Sequence, residues 1–121
     1  MKENILREKS FKFAIRIMKL YKYLCEKRNE FVLSKQVLRS GTSVGAMVRE
    51  SEHSESKPDF VHKLSIAQKE INETIYWLEL LEATEYIASK DFKSINADAV
   101  EIRKMITASI KTVKSRLAAT H

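Results

Sequence analysis

Apolar residues recur along this chain at helical spacing, in four blocks separated by polar breaks. The plainest rhythm follows the chain's only proline. Phe60, Leu64, Ala67, Ile71, Thr74, Leu78 and Leu81 alternate steps of four and three, the seam of a left-handed bundle. This predicts a helix over about residues 58–84. Ser56, Pro58 and Asp59 mark its start: a hydroxyl cap, a proline in the first turn, and an acid three residues past the cap. After a connection at 85–93, Ile95, Ala99, Ile102, Ile106, Ser109, Val113 and Leu117 predict a helix over about 94–118 with a narrow apolar seam.

Two blocks precede the proline. Phe11, Ala14, Ile17, Met18, Tyr21, Leu24 and Cys25 make the expected inner face of a helix over about 4–27. Phe13 and Leu20 widen its apolar arc beyond the roughly 100° stripe that one core needs, and the surplus is expected to touch a second subunit. The next predicted helix, about 34–54, carries Val37, Leu38, Val44 and Val48 on one face, with Ser34 as its expected cap. Its centre holds both glycines of the protein, Gly41 and Gly45. Each costs about 1 kcal/mol against Ala in a helix interior, so the pair implies another element packed very close. The alternative is a loop at SGTSVG; the apolar face running across it argues for one helix.

Four helices with short links predict an all-α, single-domain, up-down-up-down four-helix bundle. The composition agrees: 121 residues suit one core, and one Pro and two Gly leave few helix breakers. No run of 18 apolar residues exists, so no membrane span is expected, and MKENILREKS has no apolar signal core behind it. A single cysteine, Cys25, excludes an internal disulfide and fits a small core residue in a reducing cytoplasm.

Charge adds a candidate surface. The net charge is +6, and residues 1–50 carry 12 Lys/Arg against 5 Asp/Glu, while residues 51–121 carry 10 against 11. Lys9, Lys12, Arg16, Lys19 and Lys27 align on one side of the first helix with Tyr23 among them, a basic stripe suited to RNA or DNA. An ordinary solvated helix face makes the same pattern. On the third helix, Ile66, Glu70, Glu73 and Trp77 form a second face that fits a protein–protein contact, the alternative being that Trp77 closes the edge of the core. The two glutamates are expected to answer arginines such as Arg39 or Arg49, because an unpaired buried carboxylate is costly.

Catalytic and metal chemistry find little support. Glu50 and His53 have the Glu-x-x-His spacing of di-iron bundles, and Asp59 and His62 imitate it. Glu50, however, falls opposite its helix's apolar face, Asp59 lies in a cap, and His53, His62 and His121 form no zinc pattern. Ser40 and Ser43 lack the strand–turn–helix elbow of a nucleophile, and no phosphate-binding loop is present. No metal, no cofactor and no enzymatic activity are expected.

KSFKFAIRIMKLYKYL, LSKQVLRSGTSVGAMVRE and SKPDFVHKLSIAQKEINETIYWLELL together resemble the bacterial 23S rRNA intervening-sequence proteins, a four-helix-bundle family. The RSGTS-x-G-A and KE-x-x-E-T-x-YWL blocks carry the resemblance, which is close from Lys9 to Leu81 and loose over the last helix. The family's signature falls on Arg39, Ser40, Gly41, Ser43, Gly45, Glu50, Lys69, Glu70, Glu73, Tyr76 and Trp77; Met47 and Val48 stand for an often more polar pair, and Pro58 is less usual at its position. The resemblance implies a bundle that associates into a ring, typically a pentamer, encoded in or near rRNA insertions. The family is similar to the accessory variability protein of diversity-generating retroelements, a pentameric barrel that binds a reverse transcriptase and nucleic acid. No catalytic residue is implied. The expectation is a non-enzymatic homopentamer that meets RNA or DNA through Lys9, Lys12, Arg16, Lys19, Tyr23 and Lys27. Arg39, Gly41, Gly45, Glu50, Ile66, Glu70, Glu73 and Trp77 are its expected interface or structural signature, and a protein such as a reverse transcriptase is a further candidate partner. The alternative is a protein–protein scaffold with no direct nucleic-acid contact.

Overall fold

Helices α1 (Lys2–Arg28), α2 (Leu33–Ser51), α3 (Lys57–Ala83) and α4 (Ser89–Ala119) carry almost all of the chain in the computed structural model, which describes residues 2–119. His121 lies outside the described residues. Each helix packs on its chain neighbours, α4 returns to α1, and the diagonal pairs do not approach. This is an up-down-up-down bundle. Its centre is filled by Phe13, Ile17 and Leu24 of α1, Val44 and Val48 of α2, Leu64, Ile71 and Leu78 of α3, and Ile102 and Ile106 of α4. The α3 seam is buried from Leu64 to Leu81. On α4 the buried row ends at Ile110, beside the expected Ser109 and Val113, which are half-buried.

The inner face of α1 is the expected one only in part: Ile17 and Leu24 lie on it and Ala14, Tyr21 and Cys25 are half-buried, but Phe11 and Met18 turn outward. Leu6, Ser10, Phe13, Ile17 and Leu24 are buried, whereas Phe11 is 51% and Met18 41% exposed. Two heptad rows compete on this helix, and α2 decides between them. A Cβ at Gly41 would lie 2.8 Å from Ile17 Cγ1, and one at Gly45 would lie 3.3 Å from the Ser10 carbonyl oxygen. The glycines therefore draw the Ser10–Ile17 row against α2 and turn the Phe11–Met18 row outward. As expected, α2 is one unbroken helix across SGTSVG.

The connections explain three shifted boundaries. After α1, Asn29 takes φ 54° and the Glu30 N–H donates to the Leu24 carbonyl at 2.9 Å. The Glu30 side chain then caps α2: its carboxylate accepts from the backbone N–H groups of Ser34 (2.7 Å), Leu33 (3.0 Å) and Val32 (3.3 Å). Ser34 is thus not the cap. A carboxylate meets the positive end of a helix more strongly than a hydroxyl does, and Ser34 is left as a small buried residue, its Oγ 3.7 Å from Cys25 Sγ. Hydrogen bonding with Cys25, ahead of the thiol's charge and burial, holds the Tyr21 phenol above its ordinary pKa.

Helix α2 stops at Ser51, short of residue 54, because the N–H groups of Glu52, His53 and Ser54 take tighter i→i−3 bonds to Arg49, Glu50 and Ser51. At α3, Ser56 Oγ accepts from the Asp59 N–H at 3.1 Å, as expected, and Asp59 reaches back to the Glu55 N–H at 3.2 Å. Helix α3 ends in a Schellman turn: Glu85 has φ 66°, the Glu85 N–H donates to the Glu82 carbonyl, and the Tyr86 N–H donates to the Leu81 carbonyl, both at 2.9 Å. The chain is reversed by then, and buried Ile87 anchors it. Helix α4 consequently begins at Ser89 instead of near residue 94, with Ser89 Oγ donating to Glu82 Oε2 at 2.7 Å.

Candidate nucleic-acid interface

The basic stripe of α1 lies along its seam with α4. Lys9 Nζ donates to Glu101 Oε1 at 3.1 Å. Arg16 donates to Asp98 Oδ2 at 2.7 Å and to Ser94 Oγ at 3.1 Å. At the far end, Arg28 donates to the carbonyls of Tyr86 (2.7 Å) and Glu85 (3.1 Å), with its guanidinium 5.2 Å from the Tyr86 ring centroid. Two long cationic side chains, Lys9 and Arg16, thereby tie α1 to α4, and Arg28 ties it to the connection that precedes α4. The two ion pairs are largely solvated, so each stabilises the bundle by about 0–1 kcal/mol; together with the Arg28 hydrogen bonds they fix where the seam closes.

The stripe therefore divides. Lys9 and Arg16 are neutralised from α4, whereas Lys12, Lys19 and Lys27 have no ion pair among the described residues. Tyr23 stands between them, 43% exposed. Between the Arg16 and Arg28 clamps the seam opens into a groove of about 410 Å³, lined by Arg16, Lys19, Leu20, Tyr23, Ile87, Asp91 and Ile95. The α1 contributors recur at i, i+3, i+4 and i+7, one continuous face of that helix; Asp91 and Ile95 stand one turn apart on α4, and Ile87 comes from the connection before it.

A second set of expected residues lies across α2 and α3. Arg39 donates to Glu70 at 3.4 Å and more closely to Glu73, whose Oε2 also accepts from the Trp77 indole at 3.2 Å. Trp77 is half-buried against the core, and exposed Tyr76 packs edge-on to it with centroids 5.0 Å apart. Ile66 is half-buried on the same helix. Arg49 does not join this network; its guanidinium lies 5.0 Å from the Phe11 ring centroid. Glu50 pairs with Lys63 at 3.4 Å. Gly41 and Gly45 face α1 inside the subunit. Among the described residues no three His, Cys, Asp or Glu side chains converge as metal ligands, and no helix is long and apolar enough to cross a membrane.

Sequence reasoning missed the carboxylates that answer the stripe. Asp91, Ser94, Asp98 and Glu101 share one face of α4 at i, i+3, i+7 and i+10, an acidic counterpart to the basic face of α1. Matching the two faces would have found the clamps. Arg28 carried no such signal, since its partners are main-chain carbonyls.

The arrangement defines a four-helix bundle whose first helix carries a partly neutralised basic face. Residues 2–108 match the family model of the 23S rRNA-intervening sequence protein, and the chain belongs to that family. It is similar to a protein of unknown function from the S23 ribosomal protein family of Bacteroides thetaiotaomicron, known from a crystal structure. The two are 55% identical with a TM-score of 0.91, over 92% of this chain and 99% of that one. No curated protein matches the chain.

Proposed function

We propose that this protein is a non-enzymatic, oligomeric nucleic-acid-associated assembly protein that meets a polyanionic strand with the free part of the α1 stripe. The observation that carries this reading is that three lysines of the stripe, Lys12, Lys19 and Lys27, have no carboxylate partner among the described residues and flank an exposed tyrosine. The names of the family and of its structural neighbour, which refer to 23S rRNA and to ribosomal protein, favour RNA over DNA. Contacts of this kind are to phosphates and carry little sequence information. Three cations bind weakly alone, so the reading requires the stripe to be repeated. Phe11, Ile15 and Met18 form an outward apolar row on α1, each more than 40% exposed, which supports self-association. We take the assembly to be a closed ring of five. Avidity over such a ring raises apparent affinity by about two to four orders of magnitude when one strand reaches several subunits.

A salt titration of strand binding tests this, with native protein beside a Lys12→Glu, Lys19→Glu, Lys27→Glu variant. Arg16 is left alone because it holds α4. The variant is expected to bind far more weakly, with a slope in log salt shallower by about 2–3. Light scattering should give a mass several-fold above the 14.0 kDa chain for both proteins. Equal binding by both, or none at low salt, overturns the reading. The protein-scaffold reading then replaces it; the neutralisation of Lys9 and Arg16 by α4 favours that alternative.

A further inference from the structure

The groove between the Arg16 and Arg28 clamps has a composition that phosphate binding alone does not require. Its floor is apolar: Ile87 and Ile95 are buried, and Leu20 is half-buried. One wall is the Tyr23 ring, and the rim carries one unpaired cation, Lys19, and one unpaired carboxylate, Asp91, among the described residues. At about 410 Å³ it lies at the small end of ligand-sized sites. Arg16 and Arg28 are twelve residues apart on α1, about 18 Å along the helix, so the opening is bounded at both ends.

We propose that this groove takes one unpaired nucleobase of a single strand, stacked on Tyr23 over the Leu20–Ile87–Ile95 floor, with the adjoining phosphate on Lys19 and Asp91 accepting from the base's exocyclic amino group. The proposal rests on the nucleic-acid reading above and makes it selective. An apolar floor with an aromatic wall suits the flat face of a base, which stacks without regard to sequence. An ionised carboxylate only accepts hydrogen bonds. It therefore favours a base that presents an amino group, such as cytosine. Uracil, with a carbonyl at the corresponding position, meets Asp91 oxygen to oxygen. A duplex hides its base faces in the stack and cannot enter.

Three RNA strands of equal length and equal phosphate number separate the contributions: oligocytidine, oligouridine and an abasic strand, each titrated against the full-length protein at one salt concentration. Native protein should bind oligocytidine most tightly and the abasic strand least. Tyr23→Ala should lower oligocytidine affinity about tenfold, toward the abasic value, while Tyr23→Trp keeps it. Asp91→Asn should remove the preference of cytosine over uracil and, by deleting a negative charge, bind the abasic strand slightly more tightly than native protein does. These two opposite signs distinguish recognition from a change in overall charge. Both positions are exposed, and circular dichroism checks that the helices persist. If the abasic strand binds as well as oligocytidine, the base pocket is refuted while phosphate binding stands. If no strand binds at low salt, both ideas fall.

Discussion

Helix α1 makes two seams of opposite character. Against α2 it is small and dry: Gly41 faces Ile17, Gly45 faces the Ser10 carbonyl, and Ser34 lies beside Cys25. Against α4 and the connection before it, α1 is held by long, solvated cations on Asp98, Glu101 and the Glu85 and Tyr86 carbonyls, with a groove where no clamp closes it. The first seam has no room for a methyl at Gly41 and little at Gly45, and packed interiors transmit added volume as strain. The second is adjustable, since exposed ion pairs contribute little to stability. Rigidity on one side and spare charge on the other let the proposed partner surface vary without disturbing the fold.

The most severe way to break this contrast is Gly41→Leu. Even an alanine Cβ would sit under 3 Å from Ile17, so leucine should cost about 3 kcal/mol, seen as a lowered urea midpoint. In a double-mutant cycle, Gly41→Ala should cost less in an Ile17→Ala background than in the native one, because the atoms in conflict, Cγ1, Cγ2 and Cδ1 of Ile17, are then gone. A fully stable Gly41→Leu variant would mean that the α1/α2 seam is not closed at this residue.

A smaller effect is expected at the α1–α2 connection. Glu30→Ala removes the acceptor of three backbone N–H groups at the start of α2 and should cost about 1–2 kcal/mol. An amide hydrogen-exchange measurement should show the first turn of α2 opening before the rest of the helix. If Glu30→Ala leaves those amides protected, other groups satisfy the helix end.

What could be read in advance follows the same division. The α3 seam, the Ser56 cap and the close approach implied by two mid-helix glycines were legible, because each depends on local spacing or on one residue's conformational cost. The inner face of α1 was legible only in part, since Ile17 and Leu24 are buried but Phe11 and Met18 are not. Its two apolar rows are nearly equal in hydrophobicity, and the choice of the row containing Ser10 depends on the glycines of another helix. The Glu30 cap was not legible either, because a carboxylate that folds back onto the next helix looks the same in sequence as a solvated one. The stripe was visible as a row of cations; which cations stay free could be decided only by the carboxylates of α4, some eighty to ninety residues away.

The smallest effect on stability sharpens the contrast most. Asp98→Asn together with Glu101→Gln deletes the carboxylates that neutralise Arg16 and Lys9. Both pairs are solvent-exposed, so the variant should lose less than about 1 kcal/mol in a urea titration. Its binding should move the other way. Two more cations become available along α1, and the local field turns more positive. Strand affinity at fixed salt should rise, and the log-salt slope should steepen by about 1–2. A variant that is slightly less stable and binds more tightly separates the two uses of the seam, because a purely structural role predicts loss in both. If binding instead falls with stability, the clamps position the free lysines, and the partner reads the geometry of the seam as well as its charge.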